Sequence, residues 1–201
     1  TKRGNGPAYR DKYGRKGVRA MDDPRLQPYI ISMYHELYEN EDYNEIEILF
    51  EGAQGFGLDV DWGDYPYVTS SHCTAGSALL NGVPPKVIRD VWGVAKIYET
   101  YVGAKSFEGP DEIFETIRER GGEYGATTGR PRQINWLDYD MLKMATRING
   151  CNKVVFNKMD ILEGLNSWCL YDGPNLYVCI FHCFKETIWT YLHLSNLCRY
   201  D

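Results

Sequence analysis

The sequence predicts an α/β fold in which a largely parallel central sheet is flanked by helices. Strand-like segments alternate along the chain with segments whose apolar residues recur at helical spacing, an order typical of such sheets. Two polar loops directly follow predicted strands, where α/β proteins place their ligands. With 201 residues, of which 43% are hydrophobic, the chain can bury a substantial core. We therefore predict a single domain over residues 1–201.

The N-terminal part of the chain is predicted to run from a loop to a helix and then to a strand. Glycines interspersed with basic residues predict a polar loop over 1–17. Asp23 and Pro24 begin a periodic apolar stretch and predict a capped helix over 22–40. Alternating apolar residues then predict a strand over 44–55, which runs into a glycine-rich loop.

Three further helices are predicted in the middle of the chain. Apolar residues on one helical face predict a helix over 84–103. An acidic first turn and a basic last turn predict a shorter helix over 109–122. Asp138 is the expected N-cap of a helix over 139–149, and Gly150 is expected to end it.

The remaining elements are two strand regions and a final helix. An apolar run predicts a buried strand within 152–160 that ends in a polar turn. The turn signal at 171–175 separates two strand-like pieces, and helical spacing predicts an amphipathic helix over 184–197.

Charge and cysteine content narrow the classes of function. A net charge of −6 argues against broad nucleic-acid binding but leaves room for one phosphorylated small ligand. No apolar run approaches the roughly 20 residues of a membrane span, and we expect no membrane partner and a cytoplasmic location with reduced thiols. Cys179, His182 and Cys183 cluster, but they lack a second ligand pair at zinc spacing, so we predict no metal site there.

The segment 50–76 combines glycines, aspartates and a Thr-Ser-Ser run, a composition that suits neither a helix nor a plain strand. One interpretation is an ordinary surface loop. The other is a loop that brings backbone amides and small hydroxyls against a polar ligand.

The tetrapeptide Asn-Lys-Met-Asp at 157–160 follows a predicted strand. A carboxylate there can accept two parallel hydrogen bonds from the ring N–H and the exocyclic amine of guanine, a pair of donors that adenine lacks. The stem of Lys158 can cover the face of the base. The alternative is a helix-capping Asp160 beside a solvated lysine.

Two basic segments suit anions. The loop 125–132 offers two threonine hydroxyls and two arginines, and a guanidinium binds a carboxylate or phosphate in a bidentate fork. Residues 1–19 place basic side chains between glycines, where backbone amides can approach phosphate oxygens. A solvated basic loop and an exposed basic tail are the respective alternatives.

Several long motifs occur in the order and spacing seen in adenylosuccinate synthetases, and the chain resembles that family over about residues 1–165. The resemblance implies a P-loop-GTPase-like synthetase fold, with a divergent tail at 166–201. The motifs that carry it lie at 1–19, 50–76, 102–107, 124–138 and 157–162.

The resemblance implies a ligase of purine nucleotide biosynthesis. That family uses GTP, with Mg²⁺, to phosphorylate the 6-oxygen of IMP, after which the amine of L-aspartate displaces phosphate. It also implies a cytoplasmic homodimer in which Arg15 reaches across the interface.

The resemblance further implies roles for individual residues. Gln54 would act in catalysis near the purine 6-oxygen. Lys158 and Asp160 would bind the guanine of GTP. The aspartate-binding residues would be Thr127, Thr128, Arg130 and Arg132. The IMP-binding residues would be Thr1, Arg15, Gln54, Leu58, Thr69, Val102 and Arg130.

Some parts of the family pattern are not matched. Its catalytic base and acid would precede Thr1, so we expect the chain alone to be inactive. None of the four histidines occupies the catalytic position, and we expect all of them to be structural. These histidines are His35, His72, His182 and His193.

Two other functions stay open: a phage-type relative that joins aspartate to dGMP, and a non-catalytic nucleotide-binding module.

Overall fold

The chain forms two compact units, which are described separately. The predicted single domain is neither supported nor contradicted by this division. The units comprise Thr1–Ile88 and Arg89–Asp201. The computed structural model describes residues 4–39, 46–126, 129–165 and 167–180.

The first unit is built from short helices joined by long loops. Its described residues contain no strand, and Ala78 and Asp59 are the buried residues among them. Its α-helices are α1 (Asn5–Tyr13), α2 (Met33–Tyr38) and α3 (Gly76–Leu80). Its single-turn 3₁₀-helices are Ala20–Asp22, Gln27–Tyr29, Phe56–Leu58 and Pro85–Val87.

The predicted N-terminal loop is wrong, because α1 begins at Asn5. Gly4 precedes it with φ 86°, and Pro7 lies in the first turn, where its missing N–H removes no intrahelical bond.

The helix predicted over 22–40 is also wrong over most of its length. Its first part contains only a single 3₁₀ turn at Gln27–Tyr29, and α2 forms only after Ser32, whose side chain accepts a hydrogen bond from the backbone N–H of His35 at 3.4 Å. Pro28 would interrupt the interior of a continuous helix. Asp23 caps locally instead and accepts the backbone N–H of Arg25 at 3.0 Å.

The strand predicted over 44–55 is wrong over its described residues, 46–55, which have no regular structure. Ile46, Ile48 and Phe50 are 37%, 48% and 41% exposed. A strand exists only where a neighbouring strand completes its hydrogen-bond ladder, and no described segment pairs with this one. Apolar alternation alone did not decide the structure here.

The second unit contains the sheets. Its helices are α4 (Ile113–Gly121) and α5 (Tyr139–Asn149), with a 3₁₀-helix at Met159–Leu162. Its strands are β1 (Trp92–Lys96), β2 (Tyr98–Tyr101), β3 (Gln133–Asp138), β4 (Lys153–Asn157), β5 (Ser167–Asp172) and β6 (Asn175–Ile180).

The α/β class is confirmed, and the described strand pairings are mixed rather than uniformly parallel. A two-stranded sheet pairs β1 with β4 in parallel. A four-stranded sheet has the order β2-β3-β5-β6, in which β3 and β5 are parallel and the two outer pairs are antiparallel.

The helix predicted over 84–103 is wrong, because this segment forms β1 and β2. Its apolar residues fit a helical face, but they are largely valine, tyrosine and tryptophan, which also fit a pleated strand. Pairing of β1 with β4, from Trp92 opposite Lys153 to Lys96 opposite Asn157, decides between the two.

The predictions for α4, α5 and the final hairpin are confirmed. Gly122 ends α4 with φ 59°. Asp138 accepts the backbone N–H of Met141 at 2.9 Å, and Gly150 ends α5 with φ 61°. The turn between β5 and β6 lies where it was predicted. Strand β4 is less buried than predicted, and the helix predicted over 184–197 lies outside the described residues.

The hydrophobic core of the second unit joins α4 and α5 to the four-stranded sheet. The rings of Phe114 and Trp136 are 5.1 Å apart at its centre. Leu162 is fully buried in the same core and anchors the 3₁₀ turn that carries Asp160. No helix in the described part of the chain is both long and apolar enough to span a membrane.

Glu99 of β2 makes the stability of the fold sensitive to pH. Burial, reinforced by the charge of Asp138, raises the pKa of Glu99 to about 7. The pKa of Glu99 is higher in the folded state than in the unfolded one. The protonated carboxyl therefore favours folding most below its ordinary pKa, and this part of the free energy of unfolding is lost as pH rises through 7.

We expect Glu99→Gln to increase the free energy of unfolding at pH 8 by up to about 3 kcal/mol, because each pKa unit is worth about 1.4 kcal/mol. The variant should also show a weaker pH dependence between about pH 4.5 and 7. Urea unfolding at several pH values measures both effects. Exposed Glu119→Gln is the control, and parallel pH profiles for the parent and Glu99→Gln would contradict the prediction.

Candidate functional site

Asp59 organises the polar loop of the first unit. Its side chain is fully buried and accepts backbone N–H groups from Asp61 at 2.9 Å, Trp62 at 3.1 Å and Cys73 at 2.5 Å. Burial alone would raise the pKa of Asp59, but these hydrogen bonds and nearby His72 lower it below the usual value. An ionised carboxylate therefore joins two distant parts of the loop.

The glycines of this loop have a packing role where the backbone turns back on itself. A Cβ atom at Gly63 would lie 2.5 Å from the carbonyl oxygen of Asp59 and 2.6 Å from that of Gly57. No side chain fits there. The unusual composition of 50–76 thus produces a defined loop shape, held by Asp59 and closed at Gly63.

Two of the predicted IMP-binding residues are brought together by this loop. The backbone N–H of Thr69 donates to the carbonyl of Leu58 at 2.8 Å, and both residues are half-buried. The Thr69 hydroxyl lies 3.4 Å from that of Ser71. Gln54 is an exposed residue of the same loop, and Thr1 lies outside the described residues.

Backbone strain marks three of the predicted substrate contacts. Among the described residues, the non-glycine positions with positive φ are Arg15 at 57°, Gln54 at 64° and Lys158 at 63°. Left-handed backbone costs such residues about 1–2 kcal/mol, and strain of this kind concentrates at functional sites. Neither aspartate-loop arginine shares this feature.

Lys158 lies at the carboxyl edge of the two-stranded sheet. Lys96 and Asn157, the last residues of β1 and β4, are register partners, so the two parallel strands end side by side. Lys158 follows at once, and its Nζ donates to the carbonyl of Gly121 at 2.8 Å. Asp160 is exposed in the following turn. Val102, another predicted site residue, is half-buried and directly follows β2.

A buried carboxylate that the sequence analysis missed lies beside this edge. Glu123 is 2% exposed, and Lys96 Nζ is 2.8 Å from both of its oxygens. The Tyr98 hydroxyl donates to it at 2.9 Å, and Arg132 Nη1 lies 3.3 Å away. Two features of the sequence could have indicated this carboxylate. Lys96 is a charged residue within otherwise apolar β1, and Glu123 is a glutamate next to the arginine loop.

Glu123, Lys96, Tyr98 and Arg132 form one cluster. Burial and ion pairing have opposite effects on the pKa values of Glu123 and Lys96. Burial alone would raise the pKa of Glu123, but hydrogen bonds from Lys96 and Tyr98 lower it overall, so the carboxylate is ionised. Burial lowers the pKa of Lys96, although Glu123 opposes this. The pKa of Tyr98 is raised by burial and by its bond to Glu123.

The arginine loop stands on a short antiparallel base. Tyr124 and Pro131 form a bridge, and the backbone N–H of Gly125 donates to the carbonyl of Arg130 at 2.8 Å. Arg130 is exposed, whereas Arg132 is partly buried at the base against Glu123. Thr127 and Thr128 lie outside the described residues.

The described residues include one group with metal-ligand spacing, namely Asp59, Asp61 and His72, whose ligand atoms lie within 4.8 Å of one another. It does not fit Mg²⁺. Both oxygens of Asp59 already accept backbone N–H groups, and Mg²⁺ prefers oxygen ligands to an imidazole. The predicted Mg²⁺ therefore has no ligands assigned in the described part of the chain.

Comparison with known proteins gives a consistent result. The profile of the family described as "Adenylosuccinate synthetase" matches residues 23–171. The adenylosuccinate synthetase of Thermodesulfovibrio yellowstonii is 37% identical over 235 residues, covering 94% of this chain and 53% of the relative. That of Trichlorobacter lovleyi is 40% identical over 207 residues, covering 81% and 48%. The chain thus spans about half the length of the curated relatives it matches.

A solved structure shares the fold. The fully ligated adenylosuccinate synthetase of Plasmodium falciparum matches with a TM-score of 0.68 and 32% sequence identity, over 84% of this chain and 49% of that one. The family profile covers most of the chain, including the loop held by Asp59, the arginine loop and the turn with Lys158 and Asp160. The chain belongs to the adenylosuccinate synthetase family.

Proposed function

We propose that this protein acts in purine nucleotide biosynthesis as a C–N ligase that joins L-aspartate to IMP at the expense of GTP. The γ-phosphoryl group of GTP moves to the 6-oxygen of IMP, and the amine of aspartate then displaces phosphate to give adenylosuccinate, GDP and phosphate. Family membership supports this reaction. The observation that carries it is the positive φ of Arg15, Gln54 and Lys158, three positions assigned to substrates on other grounds.

Two of the proposed IMP contacts lie in one loop of the first unit. Leu58 and Thr69 contribute the base and phosphate contacts from one loop, where a backbone hydrogen bond already joins them. Gln54 contacts the purine 6-oxygen. Arg15 binds the IMP phosphate from a second copy of the chain, and its exposed side chain is compatible with that role. The other proposed IMP contacts are Thr1, Val102 and Arg130.

The proposed aspartate site is the loop that contains Thr127, Thr128, Arg130 and Arg132. Guanidinium groups bind carboxylates through paired N–H donors, and phosphoryl transfer with amine attack depends mainly on positioning and charge stabilisation. Exposed Arg130 can close on the substrate, whereas Arg132 is held at the base of the loop.

Lys158 and Asp160 form the proposed guanine site. The exposed carboxylate of Asp160 accepts the two donors on the edge of guanine, and Lys158 is held in left-handed backbone geometry next to it. We further propose a cytoplasmic homodimer, and Mg²⁺ as the ion that accompanies GTP, without assigning a ligand to it.

The proposal is tested by a coupled assay of the longest chain that contains these residues, with GTP, aspartate and either IMP or dGMP. Product from IMP supports the proposal. Product from dGMP alone would move the assignment to the phage-type reaction. GTP binding without product from either acceptor would favour a nucleotide-binding module.

We expect Asp160→Asn to raise the KM for GTP at least tenfold while the KM values for IMP and aspartate stay within twofold. The amide loses one acceptor and places a donor against guanine, a mismatch worth about 1–3 kcal/mol. Glu163→Gln, an exposed substitution in the same turn, is the matched control. Unchanged preference for GTP over ATP in Asp160→Asn would remove this residue from the site.

We expect Gln54→Gly and Gln54→Ala both to lower turnover of IMP at least tenfold, because both remove the amide. Only glycine relieves the left-handed backbone, so its free energy of unfolding should exceed that of the alanine variant by about 1 kcal/mol. Urea unfolding and the coupled assay provide the two readouts. Equal stabilities would contradict the strain, and full activity in both variants would exclude Gln54 from the reaction.

A further inference from the structure

We propose that Glu123 is a positioning residue that orients Arg132 for the carboxylate of the amino-acid substrate. The inference rests on the proposed function, because it needs the arginine loop to bind aspartate. It concerns a residue that does not itself touch the substrate.

The backbone of Arg132 is held on both sides. Its N–H donates to the carbonyl of Glu123 at 2.9 Å. Its own carbonyl accepts Arg118 Nε at 2.9 Å, and Arg118 is a buried residue that also pairs with Glu108 and Glu115. The Cα atom of Arg132 is therefore fixed, and the remaining freedom lies in its side chain.

The carboxylate of Glu123 restricts that side chain. Arg132 Nη1 lies 3.3 Å from one Glu123 oxygen, and Lys96 and Tyr98 hold the carboxylate from its other sides. With two cations around one anion, the cluster keeps one positive charge in excess, which suits a single substrate carboxylate. Arg132 Nε is buried without a hydrogen-bond partner among the described residues, so the guanidinium is not saturated by its protein contacts.

Removing the charge of Glu123 should weaken the binding of aspartate more than the binding of GTP. Lys158 contacts the same segment, but through the backbone carbonyl of Gly121, which a side-chain substitution at Glu123 leaves in place. GTP binding should therefore survive a change that releases Arg132. A general loss of folding would instead weaken both substrates together.

The test is Glu123→Gln, which keeps the shape and removes the charge. The expected result is a KM for aspartate raised at least tenfold, with the KM values for GTP and IMP within twofold and kcat within threefold. Exposed Glu119→Gln in α4 should leave every constant unchanged. An unchanged KM for aspartate, or equal increases for aspartate and GTP, overturns the proposal.

A second readout does not need activity. In ¹⁵N relaxation measurements, the Arg132 Nε–Hε group should be ordered in the parent and mobile in Glu123→Gln. Equal order in both proteins overturns the proposal. If the longest chain that contains these residues makes no product, the proposed function fails, whereas this measurement still decides whether Glu123 orients Arg132.

Should Glu123→Gln unfold, the double variant Lys96→Gln/Glu123→Gln removes the buried carboxylate together with its half-buried cation and avoids an unpaired ammonium group. It should fold, with a mobile Arg132 and the same selective rise in the KM for aspartate. A folded double variant with a normal KM for aspartate overturns the proposal.

Discussion

The ion pair between Glu123 and Lys96 is the constraint on which the candidate site of the second unit depends. A buried carboxylate that loses its partner costs several kcal/mol, so Lys96 at the end of β1, Tyr98 in β2 and Arg132 must all converge on it. This convergence ties the carboxyl edge of the two-stranded sheet to the segment that follows α4. The arginine loop and the turn with Lys158 are consequently supported by the same few residues.

The first unit uses a related solution where little hydrophobic core is available. Asp59 is satisfied by three backbone N–H groups of its own loop, and within the described part of the chain no cation lies in hydrogen-bond contact with it. In both units a buried acid thus gives a polar loop a defined shape. Asp59 shapes the backbone around Leu58 and Thr69, whereas Glu123 aligns charged side chains.

The strained positions connect this architecture to function. Arg15, Gln54 and Lys158 adopt a backbone conformation that glycine would adopt at lower cost, yet each has a long polar side chain. Stability alone does not favour these residues at those positions. Their chemistry explains them if the side chains contact substrate, since strain of this size is tolerated where binding or catalysis gains from it.

The sequence by itself determined the features that depend on neighbouring residues. The caps of α5 at Asp138 and Gly150, the end of α4 at Gly122 and the hairpin turn between β5 and β6 lie where local patterns placed them. The family motifs also predicted which loops form the candidate site. Only the tertiary structure decided that 84–103 forms β1 and β2, that 46–55 forms no strand, and that Glu123 is a buried ion. The physical reason is that strand pairing and charge burial depend on groups distant in the chain, such as β4 for β1 and Lys96 for Glu123.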